Sequence, residues 1–462
     1  MIFMKRTFYI CLVLFFALAS CKKFLDKKSN SSFLTPSTIQ DLQGLLDDGA
    51  TFNAVATPSI MEVSSDDVYV PDTNRVRTSS LIEANQYFWR PVDYFYKNDW
   101  SISYSAVYVS NLCLERVELI EKTTQNMNAW NNVKGSALFY RAYFFLELAW
   151  AFSKAYDAAT AQTDLGIVLR LTSDFNKQSV RSNVQETYDR IIQDARESID
   201  YLPPVALYPM RPSKAAAYGL LARAFWSMRE YDSARKYADL SLQLKGQLMN
   251  FNGDSDIKST LPGPNSTSTP FNVKFNKETI FYSEMTRSAS INPAIGNIDA
   301  NLYSSYHPSD LRRSVYVRLP GGVPKFRGSF SQVSAVFFSG ITSAEMYLIR
   351  AESRVRTGSV NEGRDDLNTL RSNRWKTADF VPVSISSADQ LIDTILLERR
   401  KELLMRGLRW IDVKRLNKEG RGIEMKRIYG TPVAVLPPNA NRYALPLPKD
   451  IIDQTGIPQN PY

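Results

Sequence analysis

The 462-residue sequence predicts a mainly α fold in which helical pairs form a scaffold that carries a large irregular, loop-rich part. Three observations carry that prediction. Apolar and aromatic residues recur at helical spacing through most of residues 36–245 and again after residue 341. An apolar pair, one further residue and Arg-Ala occur three times, as Leu138-Phe139-Tyr140-Arg141-Ala142, Leu220-Leu221-Ala222-Arg223-Ala224 and Tyr347-Leu348-Ile349-Arg350-Ala351. Between the second and third of these, residues 246–341 are rich in Asn, Ser, Gly and Pro and hold only short strand-like pieces. With 44% hydrophobic and 22% charged residues, the chain has enough apolar surface to bury one large core or a few smaller ones.

At the start, Lys5 and Arg6 precede an apolar stretch from Phe8 to Ala19, and Leu18-Ala19-Ser20-Cys21 supplies small residues at a cleavage position. Residues 1–20 therefore read as an export signal, too short for the roughly 20 apolar residues of a spanning helix. The small-small-Cys ending resembles a lipobox, which implies that Cys21 is acylated and begins the mature chain, with residues 21–35 as acylated N-terminus and tether. Each buried methylene would contribute about 0.8 kcal/mol, so two or three acyl chains make a lasting membrane anchor. Cys11 leaves with the signal and Cys21 is acylated, so Cys113 remains without a partner for an internal disulfide. Loss of Lys5 and Arg6 lowers the formal charge from +9 to +9 − 2 = +7. The basic residues are dispersed, and nucleic acid is not an expected partner.

Residues 36–245 read as a helical region with breaks near Thr123–Asn128, Ala158–Ser182 and Pro203–Pro212. The clearest repeat unit runs from Pro212 to Leu242. Ala216, Leu220, Arg223 and Ala224 lie along a first helix, a turn falls near Arg229 and Glu230, and Tyr231, Ala234 and Ala238 lie on a second. Small residues on facing stripes let two antiparallel helices approach closely, and the unit resembles a tetratricopeptide helix pair. A second pair is predicted over Ser343–Ser372 with Gly358 at its turn, within a C-terminal region of residues 342–462. Short strands are predicted at Glu278–Tyr282 and Ser314–Leu319 inside the irregular segment, itself the first place to seek a ligand site.

The stretch Leu396–Leu416 has Leu397, Leu404, Leu408 and Ile411 on one helical face and charges elsewhere, with Gly407 marking a break. By itself it reads as a solvated amphipathic helix bearing surface ion pairs. Together with its neighbours it resembles the SusD/RagB family of outer-membrane nutrient-binding lipoproteins. The resemblance rests on Glu398-Arg399-Arg400, Glu402-Leu403, Gly407, Arg409-Trp410, Asp412 and Arg415, then on Tyr443 to Pro448 and Gln459 to Tyr462. Ser64 to Tyr69, the stretch from Lys134-Gly135 to Arg141-Ala142, and Cys21 to Asp26 also fit; Met405-Arg406 departs where the family commonly has an acidic residue. The resemblance implies a tetratricopeptide-like scaffold, an irregular ligand-binding part, and a lipid-anchored place on the outer membrane, facing the cell surface. It further implies a SusC-like TonB-dependent transporter as partner and an oligosaccharide or peptide as ligand.

A sugar site needs ring faces flanked by amide, carboxylate or guanidinium groups. Tyr87, Trp89 and Arg90, with Asp66 and Asp67 upstream, form one candidate cluster; Asn301, Tyr303, Tyr306 and His307 form another. His307 is the single histidine, which weighs against imidazole catalysis and zinc chemistry. The oxygens of Asn252 to Asp256 lack the acidic closing residue of a calcium loop, and no phosphate loop or nucleophile elbow occurs, so neither metal nor cofactor is expected. The sequence thus favours a non-enzymatic binding protein for oligosaccharides. Peptide binding on the same architecture, a glycoside hydrolase and a pure protein-interaction scaffold are the alternatives.

Overall fold

The computed structural model describes residues 36–71, 80–93, 96–427 and 434–461, so the signal and the Cys21 anchor lie outside the described residues. Helices α1 (Ile39–Leu46), α2 (Gly49–Phe52), α3 (Ile60–Ser64) and α4 (Leu81–Tyr87) lead to the long α5 (Asp99–Val117) and α6 (Met127–Phe152). α7 (Val184–Tyr201), α8 (Lys214–Met228) and α9 (Tyr231–Leu244) follow. The irregular segment holds only α10 (Ala300–Ser304) and α11 (Arg312–Val315), after which come α12 (Ser343–Arg356), α13 (Val360–Ser372), α14 (Ala388–Glu402), α15 (Arg409–Lys418) and α16 (Lys449–Thr455).

Successive helices pack side by side from α5 through α9, and α9 then packs directly on α12, which packs on α13 and α14. The repeat array interrupted in sequence is therefore continuous in space. Ala215, Ala216, Ala217, Ala222, Ala224, Ala234 and Ala238 are all fully buried where α8 and α9 meet their neighbours. The turn between those two helices falls at Arg229, in the left-handed region at φ 68°, and the turn after α12 at Gly358, φ 90°. Both positions match the turns predicted for these pairs. α6 is buried on every side from Gly135 to Phe152, as expected of a helix that is apolar all round and central to the array.

The short strands form five antiparallel pairs among the described residues. One is a hairpin of Leu165–Val168 with Arg181–Asn183, inside the stretch expected only as a helix break. Another joins Thr279–Phe281, one of the predicted strands, to Ile341–Thr342 at the doorstep of α12. Ser314–Leu319 is instead divided between the end of α11 and the strand Val317–Arg318. The irregular segment has its own apolar core, in which Phe271, Tyr282, Tyr306, Val315, Tyr316 and Phe338 pack with Tyr87, Phe88, Leu404 and Met405.

The family-motif stretch differs most from its reading in isolation. Far from a solvated face, Glu398, Arg399, Glu402, Asp412 and Arg415 are buried, because acids and bases from other elements meet them. Arg415 donates to both Glu352 oxygens at 2.7 and 2.8 Å and to Asp412 at 3.1 Å. The Arg399 and Arg415 guanidinium groups sit 4.0 and 3.9 Å from the Trp226 ring, whose Nε1 donates to Glu352 at 2.9 Å. This knot joins α8, α12, α14 and α15. Burial pushes the Glu352 carboxyl up, but Arg415 and Arg356 outweigh it and hold it at about 2.

A second knot ties down the irregular segment. Arg374 donates to Glu402 and, at 2.7 Å, to Glu278; Arg312 donates to Asp310 at 2.7 Å, to Glu402 at 3.2 Å and to Glu398. At the departure, the Arg406 guanidinium donates to Gly340 O at 2.9 Å and lies 4.3 Å from the Phe338 ring.

A third knot fastens the N-terminal part to the motif, and it contains Glu62, whose carboxylate accepts from Gly407 N at 2.9 Å. Burial, with Asp67 nearby, raises Glu62 from an ordinary value near 4.5 to about 8. A folded value above the unfolded one means that stability present below about pH 4.5 is lost as pH rises toward 8. Glu62→Gln retains an oxygen for Gly407. It is expected to match the parent near pH 5 and to exceed it by about 1 kcal/mol or more at pH 8, read from urea midpoints.

Candidate functional site

A cavity of about 380 Å3 opens where the N-terminal helices meet the irregular segment. Its apolar wall comes from Ile60, Ile82, Trp100, Phe152 and Pro448, the last belonging to the C-terminal motif. Its polar lining comes from Glu83 and Gln86 on α4, Tyr96, Lys97 and Asn98 leading into α5, and Thr286, Arg287 and Ser288 of the irregular segment. Tyr96 is 77% exposed, a ring face that no core claims. Trp100 is buried as the floor, packed edge-on against Phe152 at 5.2 Å.

Several polar groups of the wall are committed to holding it in shape. Asp99 accepts from Ile60 N at 2.9 Å and from Thr286 Oγ1, and Ser59 N donates to Thr286 Oγ1 at 3.0 Å. Burial raises the Asp99 carboxyl above its usual range. Glu83 accepts from Ala289 N at 2.8 Å, which clamps α4 to the irregular segment. Asn98 caps α5 through a reciprocal capping box with Ser101, so a helix of 19 residues starts at the cavity. The Ser288 hydroxyl is buried in the wall with no hydrogen-bond partner among the described residues, a group that a ligand or water can satisfy.

A smaller hollow shares Ile60 and Gln86 with this cavity and adds Trp89, Arg90, Val92, Arg442, Leu445 and Pro446. Of Tyr87, Trp89 and Arg90, Arg90 alone is exposed, its guanidinium 5.1 Å over the Phe88 ring. Tyr87 and Trp89 are a correction to the reading as ligand platforms, since they are 5% and 3% exposed. Arg427 lies 4.3 Å from the Tyr87 ring and 4.6 Å from the Trp89 ring, Trp89 Nε1 donates to Ser64 O at 3.0 Å, and Tyr87 accepts from Val70 N at 2.9 Å.

Asp66 and Asp67 are likewise engaged within the fold. Arg409 donates to Asp66 at 2.6 and 3.0 Å, and Arg400 to Asp67 at 2.7 Å. Burial raises Asp67, whereas in Asp66 the nearby Arg409 and Arg400 overcome burial and hold the carboxyl low. These acids anchor the N-terminal part to the motif helices.

The second expected cluster is divided. Tyr306 is buried with its hydroxyl donating to Lys401 O at 2.7 Å, which removes it as a surface ring. Asn301 and His307 are exposed and Tyr303 is half-buried. His307 stacks on Trp375 at 4.9 Å, and Arg313 lies 4.9 Å over the Tyr303 ring while donating to its hydroxyl at 2.9 Å. This patch lies outside the cavity lining. In the loop considered for calcium, Asp254 pairs with Lys277 at 2.6 Å.

Sequence reasoning missed Glu83, Gln86, Tyr96, Lys97, Arg287 and Ser288. Tyr96-Lys97-Asn98, a ring followed by two polar donors directly before a helix, was the available signal. Arg287 and Ser288 carried none, because nothing local brings them to α4.

The fold and its junctional cavity place the molecule among tetratricopeptide-like helical scaffolds with an irregular domain docked on one side. Residues 23–225 match the SusD-like family described as starch-binding and associating with the outer membrane, and residues 341–462 match the SusD family. The chain belongs to the SusD/RagB family. SusD-like protein P2 of Formosa agariphila is 24% identical over 421 residues, 78% of this chain and 79% of that protein. SusD-like protein P38 of the same organism is 39% identical over 80 residues, 16% of each chain. A SusD superfamily protein from Bacteroides fragilis superposes with TM-score 0.70 at 22% identity, covering 92% of this chain and 99% of that one. The surface glycan-binding protein A from Bacteroides fluxus gives 0.67 at 17% identity, over 92% and 100%. Among the described residues, no helix is long and apolar enough to cross a membrane.

Proposed function

We propose that this protein captures an oligosaccharide in the junctional cavity and delivers it to a SusC-like TonB-dependent transporter, while Cys21 holds it to the outer membrane at the cell surface. The observation that carries the reading is the cavity itself. Its volume of about 380 Å3 falls in the range of roughly 300–1,000 Å3 typical of small-molecule sites. An exposed Tyr96 face stands beside an apolar floor and a ring of amide, hydroxyl and cationic groups. A sugar presents the matching pair of surfaces, a weakly polar ring face and an equatorial fringe of hydroxyls.

This reading is of binding without turnover. Among the described residues the cavity wall holds two carboxylates, Glu83 and Asp99, and each accepts hydrogen bonds that shape the wall, Glu83 from a backbone amide and Asp99 from an amide and a hydroxyl. Descriptions of the family as starch-binding and of the Bacteroides fluxus neighbour as glycan-binding agree with this reading. The patch of Asn301, Tyr303 and His307 with Trp375 would serve as a secondary contact for a longer chain.

The test is calorimetry on the full chain in detergent against oligosaccharides and peptides, with product analysis of each hit. Tyr96→Ala is expected to weaken a glycan hit by about tenfold or more, the scale of a hot-spot aromatic. Undiminished binding in that variant would reject the cavity. Peptide hits alone, or released products, would replace this reading with the peptide or hydrolase alternative.

A further inference from the structure

Resting on the cavity reading above, we propose that the preferred oligosaccharide is anionic, with a carboxylate or sulfate held by Lys97 and Arg287. Both side chains line the cavity from different parts of the chain, one leading into α5 and the other in the irregular segment. Both are exposed, and neither forms an ion pair with a described residue. Arg312, Arg374, Arg400, Arg409 and Arg415, by contrast, are paired with acids inside the fold.

The carboxylates of the wall do not answer these cations. Glu83 is drawn to Ala289 N and Asp99 to Ile60 N and Thr286. The adjoining hollow adds Arg90 and Arg442 and no carboxylate, so the two depressions together carry four cations against two engaged acids. A guanidinium forms paired hydrogen bonds to a planar carboxylate or to sulfate oxygens, and an ammonium lining the same cavity supplies a compact charge. A neutral sugar covering these two exposed cations would displace their water without supplying an opposite charge, so the lining selects by charge as well as by shape.

The experiment uses oligosaccharide pairs that differ only in the acidic group. Oligogalacturonates are compared with their methyl esters, and sulfated galactan oligosaccharides with their desulfated forms, by calorimetry on the full chain in detergent. The acidic member of at least one pair is expected to bind tenfold or more tightly than its neutral partner, and the pair that shows this separates carboxylate from sulfate. That advantage should shrink between 50 and 300 mM salt, where screening lengths shorten. It should vanish in Lys97→Gln combined with Arg287→Gln, two exposed positions whose change leaves thermal unfolding unaltered. Equal or tighter binding of the neutral partners, still lost in Tyr96→Ala, would overturn the charge selection and leave the cavity reading standing. Absence of binding by every member, or binding that Tyr96→Ala does not weaken, would overturn both.

Discussion

Arg415→Met is expected to destabilise the protein by about 3–5 kcal/mol, the scale of breaking a buried ion pair by removing one partner. Arg415 is fully buried and satisfies both oxygens of Glu352 as well as one of Asp412. Its loss leaves Glu352 with Arg356 at 2.9 Å and Trp226 Nε1, too little to offset a carboxylate inside the array. Arg415→Lys should recover only part of the loss, since an ammonium cannot donate in parallel to both oxygens or stack flat on Trp226. Urea midpoints at pH 7 measure both variants. A loss below about 1 kcal/mol in Arg415→Met would show that the knot is dispensable.

Gly340→Ala is the second large effect, about 3 kcal/mol or more, at the upper end for overpacking. A Cβ on residue 340 would stand 2.0 Å from Phe281 O and 2.8 Å from the Phe338 ring. The obstruction is backbone of the facing strand, so relief requires the pair Thr279–Phe281 and Ile341–Thr342 to separate. Gly340 O is also the acceptor for Arg223 at 2.8 Å and Arg406 at 2.9 Å, which would move with it. Gly358→Ala gives the contrast: its Cβ meets nothing, and only the φ of 90° opposes it, for about 1–2 kcal/mol. Denaturant unfolding gives the two stabilities. Proteolysis of the irregular segment should accelerate in Gly340→Ala and not in Gly358→Ala.

The helical pairs were legible because burial in a helix repeats every three to four residues and small residues mark close approach. Ala216, Ala234 and Ala238 announce the contact of α8 and α9, and Gly358 announces the turn after α12 by its lack of a Cβ. The motif residues Glu398 to Arg415 identified the family but not their own surroundings. A charge pattern on one helix reads as solvated until its partners are known, and those of Glu402 are Arg312 and Arg374. The same blindness made Asp66 and Asp67 look available, although Arg400 and Arg409 lie more than 300 positions along the chain.

Aromatic clusters misled for a related reason. Tyr87 and Trp89 have the composition of a sugar platform, yet Arg427 fills the space against their faces; Tyr96, a few positions on, stands exposed. Composition is equal in the two cases, and only packing separates a stacked core ring from an open one.

The sequence by itself determined the helical repeat, its turns and its family, because periodic burial, conformational allowance at turns and clustered motif residues are local properties of the chain. The tertiary structure alone decided which charges are buried and where the cavity lies. Both arise when segments far apart in sequence dock. Glu83, Tyr96 and Arg287 share one hollow because a backbone amide of the irregular segment meets α4, and no spacing along the chain encodes that meeting.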